Sequence, residues 1–146
     1  MKVLIAEKLA PEAAEVLENA GHEADVKLGL SPEELIAEIP AYDALIVRSA
    51  TQVTADVIAA GENLKVIGRA GAGVDNIDKD AATARKIIVC NAPDSNSISA
   101  AEQAFALMLA VSRNTAKADA SMQAGNWDRG KFAGHELYGK TLAIVG

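Results

Sequence analysis

The sequence predicts an α/β protein built on a doubly wound parallel sheet, and three observations carry that reading. Short β-type apolar runs recur about 20 residues apart. Helical patterns with recognisable starts and stops fill the gaps between them. The chain has 146 residues and is 50% apolar, enough to bury a core as one domain, or as one domain plus part of a second. Short strands that alternate with single helices favour parallel pairing through right-handed crossovers.

The first apolar run is residues 3–5, Val-Leu-Ile. Pro11 stands at an expected first helical position. After Ala13, the apolar Val16, Leu17 and Ala20 follow at the i+3, i+4, i+7 spacing that packs one helix face on a sheet, and Gly21 is placed for a left-handed C-cap. The second run is 24–26. Ser31-Pro32-Glu33-Glu34 then combines an N-cap, a proline at N1 and a capping-box glutamate. A third run, 44–47, precedes a helix that Gly61 closes at a position also suited to a left-handed cap. The fourth run is 66–67, with Asp78 as N-cap of the helix beyond it. The fifth, 87–90, ends in the single cysteine, Cys90, expected as a small buried hydrophobe and unable to form an internal disulfide. Five such βα units give a flavodoxin-like sheet in the order 2-1-3-4-5.

The sixth segment differs. Ser99-Ala100-Ala101-Glu102 reads as a capping box opening a long apolar helix through Phe105, Met108 and Leu109 to about Ala118. Gly125-Asn126-Trp127-Asp128-Arg129-Gly130 is loop-like, with Trp127 expected in core or interface packing. Lys140-Thr141-Leu142-Ala143-Ile144-Val145-Gly146 reads as a new buried strand. The expected division is a lobe over 1–98, and over 99–146 a crossover helix and the start of a further domain. The helix is apolar on nearly all sides, and the last run has a strand edge to pair, so self-association through both is expected.

Several function classes are excluded. The formal charge is −6 with scattered Lys and Arg, which leaves no basic footprint for nucleic acid or an anionic membrane. No apolar run reaches the ~20 residues of a membrane span, and no secretory leader precedes the first strand, so a cytoplasmic protein is expected. His22 and His135 are isolated and read as surface histidines, not metal ligands.

Ligands of an open parallel sheet bind outside the carboxyl ends of its strands, and three polar clusters fall there. They are Arg48-Ser49-Ala50-Thr51, Arg69-Ala70-Gly71-Ala72-Gly73-Val74-Asp75-Asn76, and Asn91-Ala92-Pro93-Asp94-Ser95-Asn96-Ser97. Arg48 offers a rigid fork for phosphate or carboxylate. The Gly71-Ala72-Gly73 turn lets backbone approach a ligand and can offer an N–H nest. Asn96 and Ser97 precede a helix whose positive end favours anions. Together they predict a pocket for a small acid with more than one negative group. A dinucleotide fingerprint at Gly71 is disfavoured because its sixth position is Asn76, not Gly or Ala.

These stretches, with Val47-Arg48-Ser49-Ala50-Thr51, Gly68 through Asp78, Asn91-Ala92-Pro93, Asn96 through Glu102 and Gly139-Lys140-Thr141-Leu142, resemble in order and spacing the D-isomer-specific 2-hydroxyacid dehydrogenases, and within them the phosphoglycerate-oxidising branch. The resemblance implies that Arg48 and Ser49 bind the phosphate side of a phosphorylated hydroxy acid, that Gly71, Ala72 and Gly73 meet its carboxylate, and that Asn96 contacts it near a domain cleft. It implies NAD as cofactor of a full-length homo-oligomeric parent acting in serine biosynthesis, with Gly146 as the first glycine of the cofactor loop. The family's catalytic Arg, Glu and His follow that loop, so no catalytic residue, bound cofactor or activity is expected of these 146 residues alone. Two other readings stand beside it: another D-2-hydroxyacid dehydrogenase, or a piece with a role only in folding or assembly. A receiver-type domain shares the fold, but it needs paired acids after strand one and an aspartate ending strand three; here Glu7 precedes Lys8, and strand three ends at Arg48.

Overall fold

A computed structural model describes residues 1–145. Two compact units are present, Met1–Asn96 and the residues from Ser97 on. In the first, β1 (Lys2–Ile5), α1 (Glu12–Asn19), β2 (Glu23–Val26), α2 (Pro32–Glu38), β3 (Ala44–Val47), α3 (Ala55–Ala60), β4 (Val66–Arg69), α4 (Lys79–Ala84) and β5 (Ile88–Asn91) follow in order, with a 3-10 turn at Ile39–Ala41. All pairings are parallel and the strand order is 2-1-3-4-5, as the βα spacing predicts.

Local signals set the helix starts. Ser31 Oγ accepts from the Glu34 N–H at 3.2 Å, and Glu34 Oε2 accepts from the Ser31 N–H at 2.8 Å, a complete capping box with Pro32 in the first turn. Asp78 Oδ1 accepts from the Ala81 N–H at 2.9 Å. Helix α1 begins at Glu12, so Pro11 is its N-cap and not its first residue, a one-residue difference of the size helix boundaries commonly carry. Gly21, just past the α1 C-cap, has φ +80°. Gly61 does not share that conformation; its φ is −72°. Glycine suits it for another reason: a Cβ there would lie 2.9 Å from Leu64 Cβ.

Register sorts the strand side chains into two faces. Leu4, Leu45, Ile67 and Val89 pair in one row, and α2, α3 and α4 cover that row with Leu35, Val57, Ile58 and Ala82 in one continuous core. Tyr42 belongs to this core, and its hydroxyl donates to Asp25 Oδ2 at 2.8 Å. The opposite row is Val3, Ala44, Val66 and Ile88. It is buried at β1 and open at β5, where Ile88 is 63% exposed.

That asymmetry corrects two expectations. Cys90 is exposed rather than buried, because it lies on the open side of β5, in the row with Ile46 and Gly68. Helix α1 buries no residue, and Val16 is 66% exposed: the helix packs at the β2 edge of the sheet, where too little of the lobe surrounds it to cover its apolar stripe.

In the second unit, the single long helix predicted from Ser99 to about Ala118 is two helices, α5 (Ser97–Ser112) and α6 (Thr115–Gln123). The break falls at Asn114, which takes a left-handed φ of 52°, a conformation asparagine tolerates better than most residues. Ser99 lies inside α5 rather than at its cap; the run of polar residues before it offers alternative starting points. The Asn114 side chain donates to the Ala133 carbonyl, and the His135 N–H to the Ser112 carbonyl, so the loop expected after Gly125 folds back along the helix break. Trp127 is 69% exposed, and residues 141–145 form no strand, for which a neighbouring strand would have to supply hydrogen bonds. Gly146 lies outside the described residues. No described helix is long and apolar enough to cross a membrane.

Candidate anion-binding site

The carboxyl ends of β1, β3, β4 and β5 converge, as the parallel order requires. The loop after β3 is held from two directions. Glu7, two residues beyond β1, accepts at Oε1 from the N–H groups of Arg48 at 2.9 Å and Thr51 at 2.8 Å, and at Oε2 from Ala50 at 3.3 Å. On the other side Asn76 Nδ2 donates to the carbonyls of Arg48 at 2.8 Å and Thr51 at 2.7 Å. Asn76 is the one buried polar residue among those described. Its backbone carbonyl accepts from the Val53 N–H at 2.8 Å, which locks the loops after β3 and β4 together.

With its backbone so engaged, the 48–51 loop leaves the Arg48 and Ser49 side chains exposed. Arg48, Lys8 and Glu7 line one open cleft of about 330 Å³ with Leu28 and Leu30. Partial burial by itself would raise the Glu7 pKa. The N–H groups of Thr51, Arg48 and Ala50 outweigh it and hold the carboxyl below its ordinary range, because hydrogen bonds to the charged form favour that form.

Beside this loop, Arg69 ends β4. Its Nε donates to the Arg48 carbonyl at 3.3 Å, and its guanidinium lies against Gly71, where a Cβ would come within 2.8 Å of Nη1. The turn is tied to β5: the Gly71 carbonyl accepts from the Ala92 N–H at 3.0 Å, and the Ala72 carbonyl from the Asn91 side chain. Neither Gly71 nor Gly73 has positive φ, so the alternating handedness of a backbone nest is not formed there, contrary to expectation. What lies close to Gly71 is the end of the Arg69 side chain, not backbone. Asn96 is the exposed last residue of the first unit.

The structure therefore brings Arg48, Ser49, Gly71, Ala72 and Gly73 to one edge of the lobe. It adds Lys8 and Glu7, which the sequence did not place at the site, and gives contacts to Arg69 and Asn76, which the sequence placed in a polar cluster without a role. Arg69 was legible as a second arginine ending a strand. Glu7 was not, since its partners lie more than 40 positions away. His22 stands before β2, at the amino-terminal side of the sheet, and does not join these groups. No cluster of three His, Cys, Asp or Glu side chains capable of holding a metal occurs among the described residues.

The Gly71 turn does not have the form of a dinucleotide fingerprint. The Gly71 turn is occupied on one side by Arg69 and bonded on the other by Asn91 and Ala92, and no helix follows until Lys79. The fingerprint turn that binds a pyrophosphate is a free glycine turn opening directly into a helix.

The first unit is a parallel five-stranded lobe that presents cationic side chains and a glycine turn at its carboxyl edge. The family described as "D-isomer specific 2-hydroxyacid dehydrogenase, catalytic domain" matches residues 3–138, and the chain belongs to that family. A D-3-phosphoglycerate dehydrogenase of Archaeoglobus fulgidus is 56% identical over all 146 residues, which span 28% of that relative's length. Among solved structures, the TT0316 protein of Thermus thermophilus superposes with a TM-score of 0.82 at 31% identity, covering 94% of this chain and 46% of that one. The NAD+-bound 3-phosphoglycerate dehydrogenase of Entamoeba histolytica superposes with 0.69 at 37% identity, covering 77% and 39%.

Proposed function

We propose that this chain is the substrate-binding part of an NAD-dependent D-3-phosphoglycerate dehydrogenase, a cytoplasmic enzyme that oxidises 3-phosphoglycerate to 3-phosphohydroxypyruvate for serine biosynthesis. The observation that carries the reading is the exposed Arg48 side chain on a loop whose backbone is bonded from both sides, beside the Arg69-supported glycine turn. A guanidinium presented on a pre-ordered loop recognises phosphate or carboxylate at low entropic cost. In this reading Arg48 and Ser49 take the phosphate, the Gly71-Ala72-Gly73 turn meets the carboxylate, and Asn96 contacts the substrate at the edge of the lobe. The lobe supplies binding and orientation. Proton transfer and hydride acceptance need a general base and NAD, which this reading assigns to the rest of the parent protein.

The test is a titration of the chain with 3-phosphoglycerate, followed by NMR. Saturable perturbation of residues 48, 49 and 71–73, weakened at least several-fold in Arg48→Ala, supports the proposal. Identical responses of the two proteins overturn it. Neither NAD-dependent turnover nor specific NAD binding is expected from these residues alone, and a saturable NAD titration with micromolar affinity would refute that part.

The expected homo-oligomer rests on α5. Phe105, Leu107, Leu109 and Val111 are each more than half exposed, and burying such a side chain is worth roughly 1.5–3 kcal/mol. Sedimentation of the chain against a version ending near Ala118 tests it. A monomer at high concentration in both cases refutes self-association.

A further inference from the structure

We propose that Glu7 is a positioning residue for anion recognition: its carboxylate gathers the backbone N–H groups of Arg48, Ala50 and Thr51 and so fixes the direction in which Arg48 leaves the loop. The proposal rests on the reading of Arg48 as the phosphate ligand and adds to it a residue that acts through the loop backbone.

Three N–H groups of a four-residue loop pointing at one centre make an anion-binding concavity. Here that centre is filled from within the protein, at 2.9, 3.3 and 2.8 Å. Two consequences follow. An incoming phosphate finds the loop backbone already committed, so recognition is left to the Arg48 side chain. Equally, the loop cannot turn to offer its N–H groups outward while Glu7 is ionised. The opposite side of the loop is closed by Asn76, through the Arg48 and Thr51 carbonyls. The two side chains come from different ends of the sheet's sequence and meet only across this loop. Asn76 alone leaves the N–H side free to rotate; the carboxylate completes the restraint. Charge-assisted bonds of this kind are about twice as strong as neutral ones, which suits a loop that is otherwise exposed.

The experiment compares four forms of the chain, wild type, Glu7→Gln, Arg48→Ala and the double variant, titrated with 3-phosphoglycerate well below the unfolding temperature of each. Glu7→Gln keeps the size of the side chain but replaces one acceptor oxygen with a donor that faces the loop N–H groups. We expect it to weaken binding about tenfold, the equivalent of one charged hydrogen bond, and to have no further effect once Arg48 is alanine. Glu7→Asp, which retains the carboxylate, should recover part of the affinity. If Arg48→Ala weakens binding but Glu7→Gln does not, or if Glu7→Gln weakens both backgrounds equally, Glu7 does not act through Arg48 and the positioning role is wrong while the phosphate reading stands. If Arg48→Ala binds like wild type, the phosphate reading fails, and the role of Glu7 with it. A measurement on wild type alone guards against misfolded variants: the amide resonances of Arg48, Ala50 and Thr51 should move together as one carboxyl titrates at acid pH. Independent or absent movement of the three overturns the clamp.

Discussion

The two faces of the lobe's sheet are built from the same kind of residue and end in opposite conditions. Leu4, Leu45 and Ile67 have no exposed surface, whereas across the pleat the row that starts with Val3 at 2% ends with Ile88 at 63%. Alternation along each strand assigns a side chain to a face. It does not say whether that face is covered. The covered face has three helices over it, of which α2 and α3 have Leu35, Val57 and Ile58 pointing in; on the other face α1 lies at the β2 edge, and nothing in the lobe reaches β5. Apolar strand residues thus report where cover is needed, and the helices decide where it is present.

The sharpest way to break this comparison is a paired truncation. Leu45→Ala should cost about 2–5 kcal/mol, the range for a fully buried leucine, and Ile88→Ala less than about 1 kcal/mol, because most of that side chain is already in water. Denaturant unfolding of the two variants measures the gap; equal losses would mean that the open face is covered in solution. Next in size is Asn76→Ala. It removes the side-chain donor from the Thr51 carbonyl and leaves the Arg48 carbonyl with Arg69 Nε alone, and it should destabilise by about 1–3 kcal/mol, with the loss accompanied by faster amide exchange in the 48–51 loop. Ser31→Ala removes one half of a capping box on the covered side and should cost about 1 kcal/mol, read from the same unfolding curves.

The smallest effect is the dependence on pH. Asp25 is held below its ordinary range, first by the Tyr42 hydroxyl and then by Lys2; Asp43 is held there by Lys65, and Glu7 by the loop N–H groups against its own desolvation. A carboxyl that titrates lower in the folded chain than in the unfolded one adds stability that is complete above the ordinary carboxylate range and is lost as pH falls through its folded value. Stability should therefore decline on acidification below about pH 4–5. Because Asp25 and Asp43 are solvent-screened, their share should shrink in high salt, while that of Glu7 persists. A decline that salt abolishes entirely would remove Glu7 from the account.

Sequence alone determined the elements of the lobe. Five apolar runs at a regular interval, Ser31-Pro32-Glu33-Glu34, Asp78 and Gly21 are all local signals, and local signals set where strands and helices start, hence the 2-1-3-4-5 order. Its motifs also pointed to Arg48 and the Gly71 turn, since each stands immediately after a strand. Tertiary structure decided what those residues meet. The clamp of Glu7 on the 48–51 loop, the donation of Asn76 to that loop and the packing of Arg69 on Gly71 join residues from different strands, and no spacing along the chain encodes such a pairing. Tertiary structure likewise decided exposure, leaving Cys90 and Val16 in solvent although their patterns read as core. The physical reason is common to both: periodicity and capping depend on neighbours within about a turn, whereas burial and hydrogen-bond partnership depend on whatever the rest of the chain brings to the other side.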